Sequence, residues 1–84
     1  MTYSIQITRK AQKSLADIAS DYQQSIRVAI RELAENPFPQ GCKKLVGRPA
    51  WRLRVGVYRV IYEIDQGQVL ILVVDIGHRR DIYR

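Results

Sequence analysis

The chain has little of what builds disulfides, metal centres or membrane spans. It contains one cysteine and one histidine in 84 residues, so it can form no intrachain disulfide, and this pair alone cannot make a structural zinc site. No apolar run approaches the roughly 20 residues of a transmembrane helix. The first residues also lack the layout of a signal peptide. The length of 84 residues predicts one domain over residues 1–84, and these absences predict that it is cytoplasmic and has no membrane partner.

Acidic residues are also scarce. Eight Asp and Glu stand against fourteen Lys and Arg, giving a net charge of +6, and nine of the fourteen basic residues lie in residues 43–84. This charge predicts a polyanionic partner that contacts the second half of the chain. The few acids are scattered, which argues against a paired-carboxylate or metal-dependent nuclease. We therefore expect no metal and no cofactor.

Hydrophobic periodicity predicts two helices after a first strand. Residues 3–7 alternate as a half-buried strand, and Thr8 can cap a helix that begins at about Arg9. A break with a new cap is expected at Ser20 or Asp21. The second helix runs from about residue 21 to residue 36, where the following proline ends it. Its predicted buried stripe comprises Tyr22, Ile26, Ala29, Ile30 and Leu33.

The second half of the chain reads as strands. Residues 37–49 form a loop in which Leu45 and Val46 are expected to act as apolar anchors. Residues 65–67 form a turn, and the apolar run of residues 69–76 is typical of a central strand. The predicted fold class is α+β with the order β-α-α-β-β-β. We expect a mainly antiparallel sheet with a helix hairpin packed on one face.

Two strands turned at Gly56 carry the most informative pattern. Apolar residues alternate with Arg52 and Arg54 in the first strand, and Arg59 alternates with apolar residues in the second. Because successive strand side chains point to opposite faces, packing the apolar set against a core leaves the three arginines on the other face. Neighbouring cations repel one another unless an anion joins them. The hairpin therefore predicts a phosphate site.

The hairpin and the end of the chain resemble a known family. The run K-K-L-V-G-R-P-A-W-R-L-R-V-G-V-Y-R-V-I-Y-E-I and the ending V-V-D-I-G-H-R-R-D-I-Y are similar to RelE toxins of the RelE/ParE toxin–antitoxin superfamily. The resemblance covers nearly the whole chain. It implies a RelE/ParE-like, microbial RNase-like fold. It also implies a ribosome-dependent, metal-independent endoribonuclease that cleaves mRNA in the A site and inhibits translation.

The resemblance also implies roles for particular residues. The family's transition-state arginine falls on Arg59, its later arginine on Arg79 and its C-terminal tyrosine on Tyr83. Its basic strand pair falls on Arg52 and Arg54, where the best-studied pattern has lysines. An arginine stays protonated in proteins and makes a poor general base, so only the electrostatic role transfers.

The remaining polar residues complete the predicted site. His78 is a candidate acid or base, since its unperturbed pKa lies near neutrality. Arg54 and Arg79 are expected to assist Arg59, and Tyr83 to stack on a base or to share in proton transfer. The residues expected to bind RNA are Arg52, Arg80, Lys43, Lys44, Arg48 and Arg84.

The partners that the resemblance implies are mRNA on the ribosome and a cognate RelB-like antitoxin with an acidic segment, in a heteromeric complex. Two other interpretations stay open. The ParE branch of the superfamily acts on DNA gyrase without cutting nucleic acid. A member of the fold that has lost activity would only bind RNA or an acidic partner. The absence of a clear base keeps both alternatives in place.

Overall fold

The computed structural model describes residues 2–78, and the structural statements that follow concern this part of the chain. The helices are α1 (Arg9–Ala16) and α2 (Ser20–Leu33). The strands are β1 (Ser4–Ile7), β2 (Lys43–Lys44), β3 (Trp51–Val55), β4 (Tyr58–Asp65) and β5 (Leu70–His78).

The strands form one sheet in the order β1-β5-β4-β3-β2. Only β1 and β5 pair in parallel, and the other neighbours are antiparallel. The predicted α+β class and mainly antiparallel sheet are therefore confirmed. The apolar run of residues 69–76 supplies β5, which has a hydrogen-bonded strand on each side. Strand β5 is therefore an interior strand of the sheet, as its composition indicated, and its side chains in the core are Ile71, Val73 and Ile76.

Both helices pack on the same face of the sheet. Helix α1 contributes Ala11 and Leu15, and the interior of α2 contributes three further apolar side chains. The sheet side of this cluster is formed by Leu53, Val60, Tyr62, Ile71, Val73 and Ile76. We call this surface the helix-side face. Burying the apolar stripe of each helix against it is the main stabilising contribution, as expected for short helices that are marginal alone.

The helix ends follow the predictions in part. The Thr8 hydroxyl accepts a hydrogen bond from the Ala11 N–H at 3.2 Å, so the predicted cap of α1 is confirmed. The predicted side-chain cap of α2 is wrong, because Ala19 occupies the cap position without a side-chain hydrogen bond. Helix α2 ends at Leu33, three residues before the predicted end. The chain then leaves the helix in a turn in which Asn36 Oδ1 accepts the Phe38 N–H at 3.0 Å.

Two expectations of burial are wrong. Tyr22, placed in the buried stripe of α2, is 48% exposed, because it lies in the first turn and reaches only the edge of the core. Its ring packs against Tyr58 with centroids 5.4 Å apart. Val46, expected to anchor the loop, is 99% exposed. The loop is held instead by backbone pairing, since the Leu45 N–H donates to the Ala50 carbonyl at 2.9 Å.

The short strand β2 and an irregularity in β5 were not predicted. Strand β2 has only two residues inside a loop-like composition, and it pairs with the start of β3. In β5, Asp75 lies opposite Ile61 and Val73 lies opposite Tyr62, which leaves Val74 as an extra residue. Such a bulge shifts the alternation of faces. It lets Val73 and Ile76 both point into the core.

Candidate functional site: a cationic face on β2, β3 and β4

The turn between β3 and β4 sets the register of the arginines. Gly56 and Val57 form a two-residue connection in which Gly56 has a φ of 62°. Hairpin turns of this length need positive φ at the first central position, which glycine adopts without steric cost. With this turn, Arg54 lies directly opposite Arg59 and Leu53 lies directly opposite Val60.

Four basic residues share the sheet face that is opposite the helices. Lys43 pairs with Arg52 across β2 and β3, and Arg54 pairs with Arg59 across β3 and β4. Directly opposite residues have Cβ atoms about 4.5–5.5 Å apart. We call Lys43, Arg52, Arg54 and Arg59 the cationic face. The predicted grouping of the three arginines is therefore what the strand register produces.

A cleft of about 490 Å³ opens beside this face. We call it the main cleft. Among residues 2–78 its lining contains five cations and two apolar residues, with no acid: Lys43, Lys44, Leu45, Val46, Arg48, Arg52 and Arg59. The Nη1 atom of Arg52 is buried and has no hydrogen-bond acceptor in the described part of the chain. An anion in the cleft would supply one, which makes the surface suited to phosphate.

A second cleft of about 280 Å³ adjoins the first and shares two cations with it. Its lining consists of Gln40, Gly41, Lys43, Arg52, Leu53 and Arg54. Gln40 was not among the site residues predicted from the sequence. The sequence does hold a signal for it: Gln40 lies between Pro39 and Gly41, a combination typical of an exposed turn, just before the basic pair of β2.

The structure does not bring His78 to the cationic face. His78 pairs with Tyr58, and their ring centroids lie 5.9 Å apart in an edge-to-face arrangement. It lines a separate cleft together with Asp17 and Asp75. The placement follows from alternation, since His78 is two residues beyond the core residue Ile76 and points to the same face.

The other predicted site residues differ in exposure, and some of them lie outside the described residues. Lys43, Lys44 and Arg48 are exposed and line the main cleft. Arg52 and Arg59 are half-buried, and Arg54 is exposed. The candidates that lie outside the described residues are Arg79, Arg80, Tyr83 and Arg84.

Tyr62 holds the loop that leads into β2. Its side chain is fully buried, and its hydroxyl donates to the Pro37 carbonyl at 2.8 Å. Burial, with a smaller contribution from the Cys42 side chain, raises the pKa of Tyr62 well above its usual value. The hydroxyl therefore remains a donor, and the loop before Lys43 is tied to β4.

Two further features bear on what this part of the chain can bind. Residues 2–78 contain no group of three or more His, Cys, Asp or Glu side chains placed to hold a metal ion. Neither helix of the described region is long and apolar enough to cross a membrane.

The fold is that of RelE toxins. The RelE–RelB complex of Pyrococcus horikoshii OT3 matches with a TM-score of 0.85 and 25% identity, covering 96% of this chain and 99% of that chain. The RelBE2 toxin–antitoxin complex of Mycobacterium tuberculosis matches with a TM-score of 0.84 and 21% identity, covering 94% and 100%. Toxin RelG of Mycobacterium tuberculosis is 27% identical over 88 residues, covering 100% of this chain and 99% of that protein.

The sequence model of one family matches residues 5–83. That family is described as ParE toxin of type II toxin–antitoxin system, parDE. The chain therefore belongs to this family of type II toxins, as a RelE-type toxin of the RelE/ParE superfamily.

Proposed function

We propose that this toxin cleaves mRNA in the ribosomal A site and thereby inhibits translation. The observation that carries the proposal is the register that sets Arg54 opposite Arg59, on the face where the main cleft opens. Because the described lining of the cleft holds five cations and no acid, a phosphodiester backbone is the ligand that best satisfies its charge.

The chemistry assigned to this face is stabilisation of negative charge. Metal-free cleavage sends a ribose 2′-hydroxyl at the adjacent phosphorus, and the new O–P bond forms as the bond to the leaving 5′-oxygen breaks. The phosphorane carries extra charge, which a planar, permanently charged guanidinium suits. We assign this role to Arg59, assisted by Arg54. Arg79 and Tyr83 complete the proposed catalytic set from beyond the described residues.

The described residues of the site include no evident group for proton transfer. Arg52 and Arg54 stay protonated in proteins and cannot accept the 2′-hydroxyl proton. His78 lies with Tyr58 in another cleft, so its position does not support a role as acid or base. A site that works mainly by electrostatics depends on substrate geometry. This dependence supports the proposal that the ribosome positions the mRNA.

We also propose that a RelB-like antitoxin restrains the toxin in a heteromeric complex. The similar structures from Pyrococcus horikoshii OT3 and Mycobacterium tuberculosis are toxin–antitoxin complexes. The cationic face would attract an acidic segment and repel a basic one. The antitoxin segment that covers this face should therefore be acidic.

Translation in a cell-free extract with primer extension on the message tests the proposal. The wild-type toxin should produce discrete cuts within codons. Arg59→Ala should lower the cutting rate by roughly 10²–10³-fold, the usual cost of removing one donor that stabilises a transition-state charge. Arg27→Ala is the matched control, because Arg27 is exposed on α2 away from the cleft. An intact message with wild-type toxin would refute the proposal.

Inhibition of DNA gyrase is the second candidate. It is favoured by the family model, which is named for ParE toxins, and by the lack of a general base on the cationic face. Loss of supercoiling by purified gyrase, with mRNA left intact in the translation extract, would establish this alternative.

A further inference from the structure

The second cleft contains a group whose chemistry differs from that of the rest of the site. Its cations, Lys43, Arg52 and Arg54, all belong to the cationic face. Gln40 adds a neutral amide, which is exposed and makes no side-chain hydrogen bond within residues 2–78. The main cleft has no such neutral donor or acceptor side chain among its described lining residues.

The cations and the amide would bind different parts of a nucleic acid. Lysine and arginine bind phosphates and fix the position of the strand without reading sequence. A glutamine side chain presents a donor and an acceptor together. This pair matches the adjacent N6 donor and N7 acceptor of adenine. Bases of single-stranded RNA are commonly recognised through such edges.

The turn around Gln40 fixes the backbone position of this residue beside the second cleft. The Cys42 N–H donates to the Pro39 carbonyl at 3.1 Å, which closes a four-residue turn with Gln40 and Gly41 at its centre. Gly41 has a φ of 91°, the sign that a type II turn requires at its third position. The start of the loop is anchored through the Tyr62 hydroxyl bond to Pro37. An anchored turn loses less freedom on binding than a mobile loop does.

We infer that Gln40 is a specificity-determining residue, which binds an adenine edge in the second cleft while Arg54 and Arg59 hold the reacting phosphate. The adenine belongs to a nucleotide that flanks the cut. This inference rests on the proposed RNA cleavage and adds its sequence preference. Arg54 lines the second cleft and faces Arg59 across the strands, so the base site and the phosphate site are adjacent.

The test uses the cell-free extract with a message library randomised around the cut codon. Mapped cuts should show that wild-type toxin favours adenine at one fixed position by at least about fivefold, the lower range for one good base contact. Gln40→Leu removes both hydrogen-bonding groups and should reduce that preference to below about twofold. The total cutting rate should change less than the preference does. Gln40→Glu, which loses the donor, should also lose the preference for adenine.

Two control variants separate specificity from catalysis. Gln66→Leu changes a second exposed glutamine, in the β4–β5 turn at the other end of the sheet, and should leave the base preference intact. Arg54→Ala should slow cutting at all sites and keep the preference. Thermal unfolding of each variant checks that the fold is retained.

The outcomes distinguish this inference from the proposed function. If the wild-type toxin leaves all messages intact, the proposed cleavage fails, and the inference fails with it. If the toxin cuts and Gln40→Leu keeps the wild-type base preference, the inference alone is overturned. It is also overturned if wild-type cuts show no preference for adenine, or if Gln66→Leu changes the preference as Gln40→Leu does.

Discussion

The direct opposition of Arg54 and Arg59 predicts a measurable repulsion between them. Two like charges that face each other across antiparallel strands destabilise a sheet by roughly 0.2–1 kcal/mol. Replacing either arginine by glutamine removes this repulsion. Once one arginine has been replaced, replacing the other removes no further repulsion. A double-mutant cycle built from Arg54→Gln and Arg59→Gln therefore isolates the pair from the other contacts of each residue.

Thermal unfolding followed by circular dichroism gives the coupling free energy. For a domain of this size 1 kcal/mol shifts Tm by about 4–8 °C, so the non-additivity should be roughly 1–8 °C in about 20 mM salt. It should vanish in about 1 M salt, where the Debye length falls to about 3 Å. Arg54→Gln combined with Arg31→Gln on α2 is the control pair and should be additive.

Two results would contradict a charge repulsion between Arg54 and Arg59. Additive effects of the two substitutions at low salt would mean that the guanidinium groups do not face each other closely enough to interact. A coupling that persists unchanged at 1 M salt would mean that it arises from packing and not from charge. In either case the cationic face would lose its electrostatic basis.

Two other substitutions test the supports of the site. Tyr62→Phe leaves the buried Pro37 carbonyl without its donor and should lower the free energy of unfolding by about 1–3 kcal/mol, as measured with urea. Because the pKa of Tyr62 is raised on folding, its contribution is complete below about pH 10 and is lost as pH rises through the folded value, so the variant should lose less stability in alkali. Gly56→Ala places a side chain at positive φ and should cost about 1–2 kcal/mol, while an unchanged Tm would contradict the assigned turn.

The elements with a clear periodicity were predictable from the sequence. Thr8 marks the start of α1 because a hydroxyl before an apolar stripe is a common helix cap. The alternation around Arg52 and Arg54 placed both on one face, and the short turn at Gly56 brought Arg59 beside them. These features depend on local spacing, which the sequence displays directly.

The features that were missed depend on contacts between distant segments. Strand β2 consists of two lysines, and only its pairing with β3 makes it a strand. The extra residue Val74 changes which side chains of β5 share a face. His78 was predicted to act as an acid or base from the chemistry of its imidazole, which carries no information about its position. The sequence did not identify its face, because β5 is apolar on both faces and its extra residue Val74 shifts the alternation.

We propose that the cationic face stabilises the charge of the reacting phosphate. The most direct test of this role is the cleavage rate of ribosome-bound mRNA at saturating toxin, measured for wild type and Arg59→Ala together with the affinity of each for the ribosome. For Arg59→Ala we expect a rate lower by about 10²–10³-fold, with affinity reduced far less, because the guanidinium acts mainly in the transition state. An unchanged rate at saturation, with only the affinity reduced, would contradict it.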